Sequence, residues 1–342
     1  MPVSRMYRGL SALLLVVAVG GLGWWLGRTQ SPDTRASETS DSPTREATPA
    51  DSAAPSRPLT AGSRPPNRPL PDAARPLREV VADLRARADA GEPDAACRLA
   101  AEMEYCDRIA TQLSSISEAM RSSNVRLPPG TAMTPELQAT IRQTQQAVAA
   151  GAERMLEESA HCEGVPAISA HQRLQYWRTA ALGGNVVAMR HYAVGNAFRM
   201  NETLENLDSL RVYQREAETF AKRAVAQGDL PTVLALAAAH NPAQPGRRHL
   251  LAQAVTPDRS QALALYLYAQ SLMRDEARFA TPRSFIDQTV RNLEQDLDAA
   301  SLARARAEAA NHLRAQPALP AGAQGAVFGH TRDVQRQECG SP

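Results

Sequence analysis

From residue 77 onward, apolar positions recur every three or four residues, the period of helices that bury one face. Residues 78–90 carry Val81, Leu84 and Ala88 at such spacing and predict a short amphipathic helix. Gly91-Glu92-Pro93 breaks it. Asp94 is a good cap for the next helix, which places Leu99, Met103, Cys106 and Ala110 on one stripe. After Pro128-Pro129-Gly130 a long helix is predicted over 134–160, with Pro135 at its first position behind Thr134. Leu174, Trp177 and Ala181 mark another helix, Gly183-Gly184-Asn185 ends it, and Ala188, Tyr192 and Phe198 mark the returning one. Three more helices are predicted over 260–273, 285–297 and 300–313.

One turn pattern appears three times. It reads Ala88-x-x-Gly91-x-x-x-Ala95-x-x-x-Leu99, then Ala181-x-x-Gly184-x-x-x-Ala188-x-x-x-Tyr192, then Val225-x-x-Gly228-x-x-x-Thr232-x-x-x-Leu236. Glycine just past a helix permits the left-handed residue that ends it. The last two glycines are 44 residues apart, within the range of paired-helix repeats. The first two are 93 apart, about two periods, as one inserted helical hairpin would produce.

These residues resemble the Sel-one-like repeat family, a tetratricopeptide-type α/α repeat. Cys162-Glu163-Gly164-Val165 matches the family's loop, with Cys in place of its first Gly. Tyr176-Trp177 and Ala180-Ala181 match its first helix, Gly184-Asn185 its turn and Ala188 the start of its second helix. Residues 297–302 resemble the final helix of such arrays. The good match covers 162–198, and weaker matches extend across the helical region. The segment 107–161 and the missing Leu-Gly pairs in the second helices depart from the pattern. The resemblance implies an all-α solenoid of helical hairpins over 77–313, with 107–161 as an inserted hairpin, that binds other proteins and catalyses nothing.

Residues 10–26 are uncharged and mostly apolar, with Arg5 and Arg8 before them and Arg28 after them. At 1.5 Å per residue they reach about 26 Å, the lower edge of what crosses a bilayer. Trp24 and Trp25 sit at the outer end, where aromatic rings favour the headgroup region. The expectation is an uncleaved transmembrane signal anchor, with residues 1–9 in the cytoplasm; a cleaved signal peptide is the competing reading. Residues 27–76 are rich in Ser, Thr and Pro and nearly free of large apolar side chains, so a disordered linker is expected. It would reach about 40 Å as a coil and about 140 Å as polyproline II. The run Arg64-Pro65-Pro66-Asn67-Arg68-Pro69-Leu70-Pro71 has the character of a proline-rich ligand. Residues 314–342 read as a flexible tail.

Composition narrows the function classes. Aromatic residues make up 4% of the chain, too few for the pleated faces of a β-sandwich or barrel. The 38 basic and 36 acidic residues nearly balance, which removes the electrostatic basis for binding nucleic acid. No nucleophile elbow, phosphate-binding loop or His-Glu-x-x-His motif is present. The nearest metal-like cluster is His161, Cys162, Glu163 and His171, whose spacing suits tetrahedral zinc poorly. No catalytic, cofactor or metal site is expected. His191 is expected to be a packing residue and Trp177 a core residue. Arg247-Arg248-His249 reads as a helix start.

The four cysteines are Cys97, Cys106, Cys162 and Cys339. Outside the cytoplasm pairing is expected. Cys97 and Cys106 lie nine apart on one helix, on opposite sides, and cannot bridge. Cys106–Cys162 would staple the base of the inserted hairpin and is the expected bond, worth about 4 kcal/mol by chain entropy. Cys97–Cys162 and no bond remain as alternatives, and Cys339 is expected to be free in its polar tail. The combined expectation is a single-pass inner-membrane protein whose helical-repeat domain faces the periplasm and holds a protein partner of the cell envelope. Its alternative is a non-catalytic accessory subunit of an envelope enzyme or a cell-wall-binding module.

Overall fold

The computed structural model describes residues 68–122, 134–243, 249–273, 279–315 and 334–340, all within the unit Ser63–Pro342. The expected membrane anchor and most of the linker therefore lie outside the described residues. Every regular element among the described residues is helical. They are α1 (Leu77–Asp89), α2 (Pro93–Ser122), α3 (Pro135–Ser159), α4 (Ala170–Leu182), α5 (Val186–Ala193), α6 (Leu207–Ala226), α7 (Leu230–His240), α8 (Leu250–Ala254), α9 (Arg259–Leu272), α10 (Ala280–Asp296) and α11 (Ala299–Ala315). Single 3-10 turns add Ala160–Cys162, Met200–Glu202, Leu204–Asn206 and Arg336–Gly340. Among the described residues no helix is long and apolar enough to cross a membrane.

Helices α1, α4 and α6 end in the same way. Gly91, Gly184 and Gly228 take φ of +85°, +95° and +75°, a region costly for any residue with a Cβ. The N–H of the following residue then reaches back five positions: Glu92 to the Arg87 carbonyl, Asn185 to that of Ala180 and Asp229 to that of Ala224. Each glycine N–H bonds three positions back, to Ala88, Ala181 and Val225. These are the two bonds of a Schellman motif. A fourth copy closes α5, where Gly195 has φ +88° and Asn196 N–H bonds the His191 carbonyl.

The turns also touch one another. A Cβ on Gly183 would lie 2.3 Å from Pro93 Cγ. Asn185 caps α5 through Ala188 N–H and donates from Nδ2 to Asp94 Oδ1 at 2.9 Å. Asp229 caps α7 through Thr232 N–H and accepts from Arg190 of α5 at 2.8 Å. Consecutive helices pack in order: α1 on α2, α2 on α4, α4 on α5, α5 on α6, α6 on α7, α7 on α9, and α9 on both α10 and α11. Trp177, Tyr192, Tyr213 and Tyr268 are among the largest fully buried side chains.

Several boundaries differ from the expected ones for local reasons. The buried stripe of α1 is Leu77, Val80, Leu84 and Ala88, so Val80 takes the place expected for Val81. α2 begins at Pro93, with Asp94 in its first turn rather than at its cap. α2 runs unbroken to Ser122 because no Gly or Pro interrupts 94–122. In the segment 107–161, expected as an inserted hairpin, the outgoing helix is the far half of α2, which starts at Pro93 without a break, and the second helix, packed on it, is α3. α3 starts as expected, with Thr134 Oγ1 accepting from Leu137 N–H behind Pro135. Phe198 lies beyond the end of α5. His249 caps α8.

Both ends of the unit depart from expectation. Residues 68–71 are held rather than free: Arg87 of α1 donates to the carbonyls of Arg68 (2.6 Å) and Pro69 (3.2 Å), and Leu70 packs against the core. Residues 334–340, expected to be a flexible tail, return to α2. Cys339, expected to be free, is buried and bonded to Cys97. Arg336 reaches Glu102 at 3.4 Å and lies over the Tyr105 ring, while Glu338 pairs with Arg190 at 2.8 Å. Val334 and Cys339 exclude water from this contact, which is why a polar sequence packs there.

Candidate functional site

Helix α2 is buried on every side from Ala95 to Glu104. A helix surrounded in this way must bury whatever polar residues it carries. It carries Arg98, Glu102 and Glu104, all under 5% exposed. Isolated charges at such depth would be prohibitive, and each of these has opposite charges around it.

Glu102 and Glu104 project to opposite sides of α2. Glu102 accepts from Arg98 Nε at 2.7 Å, lies 2.9 Å from His161 Nε2 and meets Arg336. It thereby ties α2 to the 3-10 turn after α3 and to the C-terminal segment. Glu104 accepts from Trp177 Nε1–H at 2.9 Å and from His191 Nε2 at 3.1 Å. Arg173 Nε lies 3.7 Å away. Burial alone would push the Glu104 carboxyl up; His191, Arg173 and Trp177 more than offset it and hold the carboxyl below its ordinary range. The Trp177 and His191 rings touch at 4.3 Å between centroids, tilted 39° to one another. Arg173 continues the network to Glu202 and to Asp107, which Arg199 also engages. One carboxylate thus binds α2 to α4 and α5.

Cys106 is bonded to Cys162, so α2 and the end of α3 are joined covalently beside these carboxylates. With Cys97–Cys339 this leaves no free cysteine and no Cys97–Cys162 bond. The metal-like cluster is dispersed over other partners. His161 faces Glu102, Cys162 is in a disulfide, Glu163 pairs with Arg78 at 3.6 Å, and His171 lies 2.8 Å from Gln175 Nε2. No group of three His, Cys, Asp or Glu suited to a metal occurs among the described residues. Trp177 and His191 are buried as expected. Glu102, Glu104 and Arg173 were missed by the sequence reading. For Glu102 and Glu104 the one signal is that they stand, with Arg98, in the small apolar run Ala95-Ala96-Cys97-Arg98-Leu99-Ala100-Ala101-Glu102-Met103-Glu104; Arg173 carries no such signal.

The Glu102 and Glu104 carboxylates at the centre of the network are closed off from solvent, and what they do there is position the helices around them. The surface features lie outside it. A cleft of about 550 Å³ lies between α1 and α4, lined by Arg85, Asp89, Ile168, Gln172, Gln175, Tyr176 and Thr179. Tyr176 OH donates to Asp89 Oδ1 at 3.0 Å. A second cavity of about 560 Å³ lies between the starts of α9 and α11, lined by Asp258, Arg259, Gln261, Asp296, Arg304 and Glu308 among others. Neither lining includes Glu102, Glu104, His161 or His191. Comparison with known proteins finds no matching family model, no matching curated protein and no matching solved structure.

Proposed function

We propose that this chain is a membrane-anchored helical-repeat protein of the bacterial cell envelope that works by holding another protein. The observation that carries the reading is the series of Schellman turns: the second touches the first through Gly183 on Pro93 and Asn185 on Asp94, and the third is tied to the helix after the second through Asp229 and Arg190. One hairpin repeated and stacked on its neighbour is how repeat proteins build long contact surfaces without a catalytic centre. The resemblance of 162–198 to the Sel-one-like pattern supports the same reading. Two disulfides, which persist in oxidising compartments, support a domain outside the cytoplasm. The apolar run 10–26 supplies the anchor.

The cleft between α1 and α4 is the best-suited contact surface. Gln172, Gln175, Tyr176 and Thr179 offer neutral donors and acceptors, and Arg85 and Asp89 offset each other. Such a lining suits the main chain of an extended peptide. The test is a photo-crosslinking residue at Gln175 of the full-length chain in cells, with Arg211, exposed on α6, as the control position. A single envelope protein captured at Gln175, and lost when Tyr176→Arg is added, is the expected result. No adduct at Gln175, or equal capture at both positions, overturns the reading.

A further inference from the structure

Residues 334–340 are tied to α2 by a disulfide, yet they sit on the domain as a bound peptide would. Of these residues, Val334 and Cys339 alone are buried. The rest of the contact is polar. Arg336 reaches Glu102 at 3.4 Å and lies 4.3 Å from the centre of the Tyr105 ring. Glu338 pairs with Arg190 at 2.8 Å. Asn185 Nδ2 donates to the main-chain carbonyl of Cys339 at 3.1 Å. Each receiving group also has a partner outside this segment. Glu102 has Arg98 at 2.7 Å and His161 at 2.9 Å. Arg190 has Asp229 at 2.8 Å, Asn185 has Asp94 at 2.9 Å, and Tyr105 OH donates to Glu158 at 3.3 Å. A buried charge left without a partner is what makes such a contact costly to open. Here departure of the segment strands none of these groups, so the surface under it is already organised.

We propose that α2 and α5 form a peptide-binding groove that the chain's own residues 334–340 occupy as an internal ligand, with Cys97–Cys339 holding it shut. The chemistry of the occupant defines the partner: a peptide segment with an arginine and, two residues on, an acidic side chain. The arginine is met by a carboxylate and an aromatic face, which combines an ion pair with a cation–π contact. The acidic side chain is met by Arg190. Asn185 sets the register by reading the main-chain carbonyl of the next residue. None of Glu102, Tyr105, Asn185 and Arg190 lines the cleft between α1 and α4, so this is a second contact surface. The covalent tie keeps the internal occupant at a high effective concentration, and a free peptide competes poorly while it lasts.

The probe is a fluorescein-labelled synthetic peptide of residues 334–340 carrying Cys339→Ala. The receiver is the full chain in detergent, either the parent or a chain opened by Cys97→Ala, Cys339→Ala, Arg336→Glu and Glu338→Arg together. The opened chain keeps Glu102, Tyr105, Asn185 and Arg190 but carries a segment that they repel. Anisotropy is expected to rise with the opened chain and to stay flat with the parent, and circular dichroism is expected to match between the two. Peptides carrying Arg336→Glu or Glu338→Arg should bind the opened chain about tenfold more weakly or worse, since an attractive pair becomes repulsive. No binding to the opened chain overturns the proposal. So does equal binding to the parent, or variant peptides that bind as well as the native one. Loss of helicity in the opened chain would make residues 334–340 part of the core and overturns it too. Failure here is distinct from failure of the cleft between α1 and α4, because crosslinking at Gln175 reads another surface.

Discussion

One helix, α2, lives in two environments. From Ala95 to Glu104 every residue is buried, and its charges are matched by side chains from α4, α5 and the C-terminal segment. Beyond Cys106 the same helix is half-exposed and its neighbour α3 has no fully buried residue. The first part is a core element whose polar residues are fixed by tertiary structure. The second packs on one neighbour, α3, through a half-buried apolar face, and the Cys106–Cys162 bond ties the two together at their base. A sequence can be continuous in helical pattern across a boundary where its surroundings change from burial on all sides to contact on one.

The comparison breaks most sharply at Trp177. Trp177→Ala removes the largest side chain packed against the first part of α2 and leaves Glu104 short of a donor. It should cost about 4–5 kcal/mol of stability. Leu156→Ala in α3, 59% exposed, should cost under about 0.5 kcal/mol. Denaturant unfolding followed by circular dichroism measures both. Equal losses would mean that α3 belongs to the cooperative core.

The disulfides sharpen it further. Cys97–Cys339 joins residues 242 apart and Cys106–Cys162 residues 56 apart. The chain-entropy model assigns them about 5 and about 4 kcal/mol as upper values. Where protection is lost is the better discriminator. Cys97→Ala with Cys339→Ala should raise hydrogen exchange in 334–340 and the start of α2. Cys106→Ala with Cys162→Ala should raise it in α3 and leave α4 to α7 unchanged. Loss across the whole domain in the second case would show that α3 and the core fold as one unit.

Much of the helical path was legible, because a left-handed residue after a helix leaves a glycine in the sequence. Gly91, Gly184 and Gly228 could be read on that ground. Gly195 was missed because Val194-Gly195-Asn196 lacks the small residue three positions before it. The Cys106–Cys162 pairing was within reach, since both cysteines flank one inserted segment. Cys97–Cys339 was not: a bond across 242 residues is set by tertiary packing, and 334–340 has no apolar period to betray it. Glu102 and Glu104 were hidden for a related reason. All-round burial erases the polar stripe that marks the outside of a helix, so the carboxylates read as solvent-facing. The three turns show where the chain reverses, whereas the network that locks α2, α4 and α5 depends on atoms brought together from 70 to 90 residues away.

Gly183 tests the stacking of turns at a smaller scale. Its φ is ordinary, so its role is space: a Cβ there would meet Pro93 Cγ at 2.3 Å. Gly183→Ala should destabilise by about 1–3 kcal/mol, because the contact is between two helix ends rather than with a flexible side chain. Gly151→Ala in α3, with open space around it, should be neutral or stabilising by about 1 kcal/mol. Opposite signs for one substitution in the two regions would support the division; the same sign would erase it.

The smallest expected effect is in pH dependence. His240, at the end of α7, is buried, with Nδ1–H donating to the Thr256 carbonyl at 3.0 Å. Its Nε2 is buried with no partner. Burial pushes its pKa below the ordinary 6.5, although the Thr256 carbonyl, Glu218 and Asp258 pull the other way and Lys222 adds to the depression. The folded state therefore resists a proton that the unfolded chain accepts. Stability should be full above about pH 6.5 and fall as pH drops below it, towards the depressed folded value. His240→Asn should flatten that part of the curve without changing exchange in α3. A curve equally steep in the variant would place the titrating group elsewhere, and a pH-dependent loosening of α3 would mean that it senses the same proton as the core.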